Sequence, residues 1–176
     1  MNYNPMNASD ININEYASYY ANYIDKAGKL NLKDSLIESC KALNELFNDI
    51  SEEQMNYKYA DDKWTIKELL MHIIDTERVF AYRAMRFARK DKTDLPGFEQ
   101  DDYIIPSKAN ERSKDSLLNE YNAQRVSTLA LFSNFDDEML MSIGNASGNP
   151  MSVRAIGFLT SGHETHHCDI LRERYL

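Results

Sequence analysis

Proline is the residue that most limits this chain's architecture. It occurs at positions 5, 96, 106 and 150 and nowhere else. Proline has no amide proton and clashes with the preceding turn, so it interrupts a helix interior. All four prolines lie outside four long stretches with helical apolar spacing, and those stretches are therefore free to form uninterrupted helices. The first covers residues 32–50, with Leu32, Leu36, Cys40, Leu43, Phe47 and Ile50 on one face. The second runs from Thr65 to about Arg89 and opens on Thr65-Ile66-Lys67-Glu68, a capping box with Thr65 as N-cap. The third covers residues 111–132, and the fourth starts after Ser152 and ends near Arg174 or Tyr175.

The expected fold is all-α, a four-helix bundle with negligible strand. Residues 91–110 join the second and third helices. That is roughly twenty residues where bundles ordinarily use two to eight. Such a length points to a crossover along the bundle and to consecutive helices that run parallel. Residues 145–150, Asn-Ala-Ser-Gly-Asn-Pro, read as a plain turn. The tyrosine-rich segment 13–28 reads as a short helix or an ordered lead-in. At 176 residues the chain suits one domain with one core, its polar residues 1–10 flexible.

Charge and cysteine content restrict the partners. A net charge of −8 argues against a nucleic-acid surface, which needs a basic patch over phosphates. No apolar run reaches the roughly 18 residues of a membrane span. Cys40 and Cys168 form no CxxC and no disulfide framework, so two buried reduced thiols in a cytoplasmic protein are expected. A small-molecule substrate is expected as the partner, and a homodimer is compatible with the architecture.

The histidines carry the chemistry. His163 and His167 are four apart and share a helix face, about 40° from each other around the axis. Ile156, Leu159 and Ile170 fall on the same arc, so both imidazoles point into the core. Two buried imidazoles must both lose water and both find partners, and one divalent metal satisfies them together. A third imidazole would complete a facial triad, and His72 stands on the shoulder of the second helix's apolar arc. His166 projects about 60° to the other side of His163 and reads as a rim residue.

His163-Glu164-Thr165-His166-His167 also matches the HExxH pattern of zinc peptidases, with Glu164 as general base. The longer metzincin pattern fails at Ile170 and Glu173, and too few residues follow His167 to supply a downstream ligand. Glu164 remains a candidate base for another metal-assisted chemistry. Glu77 falls inside the apolar arc of the second helix and Arg125 inside that of the third, which implies an ion pair between them. Arg78, Arg83, Arg86 and Arg89 read as a solvated basic face. Trp64 reads as a core plug at a helix start.

From about Tyr57 onward the chain resembles the DinB/YfiT-like superfamily. The likeness runs through Lys63-Trp64-Thr65-Ile66-Lys67-Glu68, then His72-Ile73-Ile74-Asp75-Thr76-Glu77-Arg78-Val79-Phe80 and Leu95-Pro96-Gly97-Phe98. It continues through Gly162-His163-Glu164-Thr165-His166-His167 and Arg172-Glu173-Arg174-Tyr175-Leu176. This resemblance implies up-down-down-up topology and a divalent metal (Zn, Ni, Mn or Fe) held by His72, His163 and His167. It further implies a thiol S-transferase of the bacillithiol type, with a low-molecular-weight thiol as cosubstrate. The alternatives are a metal-dependent hydrolase, with water on the metal as nucleophile and Glu164 as base, and a non-catalytic metal- or ligand-binding bundle.

Overall fold

In the computed structural model, which describes residues 6–176, each of the four periodic stretches is a long helix. In chain order the helices are α1 (Ala21–Lys26), α2 (Leu32–Asn48), α3 (Ile66–Ala88), α4 (Gln100–Ser107), α5 (Lys114–Phe132), α6 (Asp137–Met141) and α7 (Val153–Ile170). Every long helix starts at a side-chain cap: Asn31, Thr65, Ser113 and Ser152 each accept an amide proton from the first turn. At Thr65 the box is complete, because Glu68 accepts the Thr65 amide in return. α7 continues into a wide π turn over Leu171–Tyr175. The Tyr175 hydroxyl donates to the Trp64 carbonyl at 2.8 Å and ties the end of the chain to the start of α3.

Contacts between helices give their directions. Ser35 meets Ser161 and Ser39 meets Glu164, so α2 and α7 run parallel. Arg112, just before α5, meets Met71, and Arg125 meets Glu77, so α3 and α5 run parallel. Between the pairs the order reverses: Leu36 meets Arg125 while Asn44 meets Asn122, and Tyr175 meets Trp64 while His163 meets His72. The bundle is therefore up-down-down-up, the arrangement a long second connection requires.

The core has two apolar halves. One holds Leu36, Phe80, Phe87, Phe132 and Leu159, and the other holds Leu43, Phe47, Leu70, Leu117 and Leu171. At mid-height each long helix contributes a buried polar residue between them: Ser39, Glu77, Arg125, and the pair His163 and Glu164. Burying so many polar groups is costly unless each finds a partner.

The connections hold more structure than the sequence suggests. β1 (Asp94–Leu95) pairs in parallel with β2 (Ile143–Ala146), which forms a hairpin with β3 (Asn149–Ser152). The expected plain turn at 145–150 is thus the tip of a small sheet, and the little strand among the described residues lies here. Ser147 and Gly148 both have positive φ, as a tight two-residue hairpin turn requires. Pro106 lies near the end of α4, in the crossover. Segment 13–28 consists of short 3₁₀ turns leading into α1.

α1 packs on α7 with unusual closeness at Gly162. A Cβ there would lie 1.8 Å from the Tyr23 carbonyl oxygen, so only glycine admits this approach. Of the segment expected to be flexible, Asn7 caps an ordered turn at Ala8–Asp10, Ala8 is buried, and Asn7 pairs with Asn31. Residues 1–5 of that segment lie outside the described residues.

Candidate metal centre

His72 from α3 and His163 and His167 from α7 converge in the polar layer. His163 Nε2 lies 3.0 Å from His72 Nε2 and 3.0 Å from His167 Nε2. Among the described residues these three form a group of potential ligand atoms within 4.8 Å of one another. A cation bound at about 2.0–2.1 Å from each nitrogen holds its ligands roughly 2.9–3.4 Å apart, so the spacing fits a shared ion. Hydrogen bonding fits less well. One ring nitrogen carries either a proton or a lone pair, so His163 Nε2 can satisfy only one of its two neighbours that way.

The electrostatics favour the same group. The exposures are 5% for His72, 6% for His163 and 9% for His167. Burial pushes His72 down to about 4. Burial, reinforced by the neighbouring imidazoles, holds His163 and His167 well below the usual histidine range. All three are therefore neutral at pH 7, the form that binds a metal. Their outer nitrogens are poorly engaged: His72 Nδ1 meets Thr76 Oγ1 only at 3.5 Å, and His167 Nδ1 has no partner.

Two clefts reach this point. One, of about 550 Å³, touches His163 and is lined by Tyr20, Tyr23, Phe80 and Arg83. The other, of about 440 Å³, touches His167 and is lined by Trp64, Tyr59 and Tyr175. The Tyr23 ring stands edge-on to His163 with centroids 5.4 Å apart, and Trp64 lies 4.8 Å from His72. His166 is half-buried at the rim, 5.1 Å from the Tyr23 ring, outside the triad.

Glu164 does not face this site. Its Oε2 accepts from Arg125 at 2.6 Å and from Ser39 at 2.7 Å, and its Oε1 accepts from the Tyr121 hydroxyl. A step of one residue, about 100° around α7, turns the carboxylate away from His163 and toward Arg125, where these donors occupy the oxygens that the expected role of base at a metal would need. Arg125 also clamps Glu77 with two hydrogen bonds, 3.0 and 2.9 Å, and donates to the Leu36 carbonyl. Burial works against the Arg125 cation, but the Glu164 and Glu77 charges outweigh it and raise its pKa well above normal. The ion pair inferred between the second and third helices is thus a buried triad, with Glu164 as its third member.

The sequence assigned Trp64 and Arg83 to other roles and gave Tyr23 none. Trp64 is against a proposed ligand as well as against the core. Tyr23 reaches the site through the α1–α7 contact, which no local pattern announces. Arg83 was read as solvated with Arg78 and Arg89, yet it is 3% exposed. Helical projection could have found it, since eleven residues return to within about 20° of His72.

The fold and the three inward histidines define a helical bundle with a candidate metal centre, and comparison with known proteins gives its family. The model of the DinB superfamily matches residues 36–171, and the chain belongs to that superfamily. A protein of Oceanobacillus iheyensis, named as a candidate metal-dependent hydrolase, is 24% identical over 127 residues, covering 71% of this chain and 72% of that protein. The solved structure of YfiT from Bacillus subtilis, described as a probable metal-dependent hydrolase with an unusual four-helix bundle topology, is similar in fold. It aligns with a TM-score of 0.70 at 14% identity, covering 81% of this chain and 82% of that one.

Proposed function

We propose that this chain is a metal-dependent enzyme acting on a small molecule, with His72, His163 and His167 holding a divalent cation. The observation that carries the reading is the convergence of three neutral, buried imidazoles, of which His163 lines one cleft and His167 another. A divalent cation there would supply Lewis acidity, lowering the pKa of a coordinated water or thiol toward neutrality. The protein's own part is to fix the imidazoles. α3 is indexed by the Thr65–Glu68 box, α7 is held by the Arg125 network, and the rings of Tyr23 and Trp64 pack against the ligands and limit water around them.

Two reactions use this arrangement. Thiol S-transfer follows from the likeness to bacillithiol-type transferases, and it needs no protein base once the thiol is ionised. Hydrolysis is favoured by the names given to the two similar proteins. Because Glu164 is bound by Arg125, Ser39 and Tyr121, hydrolysis would need a base other than Glu164.

Elemental analysis of the purified protein tests the common ground: about one divalent ion per chain is expected, lost in His163→Ala and His167→Ala. A metal-free native protein, or unchanged uptake by His163→Ala, would overturn the reading. For S-transfer, consumption of bacillithiol with monochlorobimane should depend on His72. Equal rates in His72→Ala would remove that branch.

A further inference from the structure

Three arginines of this chain are buried: Arg83, Arg125 and Arg154. Arg125 is paired with Glu77 and Glu164, and Arg154 with Glu15. Arg83 has no carboxylate within ion-pair distance among the described residues. Its Nη2 donates to the Pro96 carbonyl at 2.9 Å and the Ser147 hydroxyl at 3.2 Å, both neutral acceptors. These two bonds fix the guanidinium between the crossover and the hairpin tip, and they leave its charge uncompensated. Burying a charge without an opposite charge beside it is costly, and a guanidinium N–H outside the two Nη2 bonds can donate to an oxyanion.

Arg83 also lines the cleft that ends at His163. Along α3 it stands eleven residues beyond His72, about 16 Å of axial rise, on nearly the same face. Helical side chains lean toward the N-terminus, so its long side chain points back toward the histidines. The rings of Tyr20, Tyr23 and Phe80 line the cleft as well. Glu99 is the acidic residue on its wall; it is exposed and makes no ion pair with Arg83.

We infer that the cleft takes an elongated small molecule with an oxyanion at one end, bound by Arg83, and an apolar middle against the aromatic rings. Its reacting group lies at the other end, beside the three histidines. The inference rests on the proposed function for the identity of the reacting end, but the anion site stands on Arg83 itself.

The test is calorimetric titration of the full-length protein with phenylbutyrate, phenylpropyl phosphate and the uncharged phenylbutyramide, with and without a chelator. Metal content is measured in parallel. The native protein should prefer one of the charged probes over the amide by about tenfold or more, with chelator present, and the preferred probe identifies a carboxylate or phosphate tail. Arg83→Met should abolish that preference, and Arg83→Lys, which keeps the charge without the guanidinium's set of donors, should retain part of it. The ratio of affinities within one variant is independent of the fraction folded.

No preference for either charged probe in the native protein would overturn the inference, as would a preference undiminished in folded Arg83→Met. Should Arg83→Met fail to fold, a native preference that Arg83→Lys partly keeps supports the assignment, and one it leaves at full strength overturns it. A preference that vanishes with the metal would place the anion on the ion and overturn it too. Arg83-dependent binding in a protein that holds no metal would leave the anion site standing while refuting the metal reading.

Discussion

Replacing Glu164 separates a structural carboxylate from a catalytic one. Its two oxygens receive three donors, from Arg125, Ser39 and Tyr121, all of them buried side chains. In Glu164→Gln the side chain keeps its size. The amide oxygen can face Arg125 and Ser39, and the NH₂ group can donate to the Tyr121 oxygen. What is lost is the extra strength of charged over neutral hydrogen bonds, about 1–2 kcal/mol. In Glu164→Ala all three donors lose their acceptor and a cavity opens. Because Arg125 keeps Glu77, the cost lies near the low end for a broken buried pair, about 3 kcal/mol. Urea unfolding followed by helical circular dichroism should rank native above Glu164→Gln above Glu164→Ala. Metal per folded chain should be unchanged in all three. The reasoning fails if Glu164→Gln keeps the native unfolding midpoint while losing its metal, or while losing the roughly 10²–10⁴-fold in rate that a general base supplies.

Other perturbations test the elements that position the site. Gly162→Ala places a methyl against the Tyr23 carbonyl and should cost about 1–3 kcal/mol while loosening Tyr23 from His163, read by thermal melting and tyrosine fluorescence. Thr65→Ala removes the cap of α3 and the bond to Asn110, a loss of about 1 kcal/mol in urea unfolding. The Glu15–Arg154 pair predicts a pH dependence. Burial pushes the Glu15 carboxyl up, but hydrogen bonds from Arg154, Ser152 and the Asn12 amide outweigh it and hold it below its ordinary 4.5. A lowered carboxyl stabilises the fold above the unfolded value and ceases to do so as pH falls through the folded one. The stability gap between native protein and Glu15→Gln should therefore be full at pH 7 and shrink below about 4.5, as measured by melts across that range.

The helices were legible because their signals are local. Thr65 and Glu68 announce a start three residues apart, and the apolar spacing of each stretch needs no knowledge of its neighbour. The pair His163 and His167 was legible for the same reason. Partnership across the bundle was harder to read. Glu77 and Arg125 could be matched because both interrupt apolar arcs, but nothing in HExxH reveals that Glu164 turns toward them. β1 was invisible because its two residues pair with Asn145 and Ala146, about fifty positions away. Arg83 was misread because composition counts it with its neighbours, while its burial is decided by the crossover and hairpin folding over it.

One turn of α7 bears two ligand imidazoles and, about 60–100° around the axis from them, a carboxylate. Rotating that helix by one residue, about 100°, would bring the His163 imidazole to the setting Glu164 now holds and carry Glu164 away from Arg125. Such a slip leaves the guanidinium facing a group that cannot neutralise it, a loss of several kcal/mol in a buried setting. The Arg125 network thus works as a key that admits the last helix in one rotational setting. A chain assembled in any other setting would present no convergent set of ring nitrogens to a passing ion.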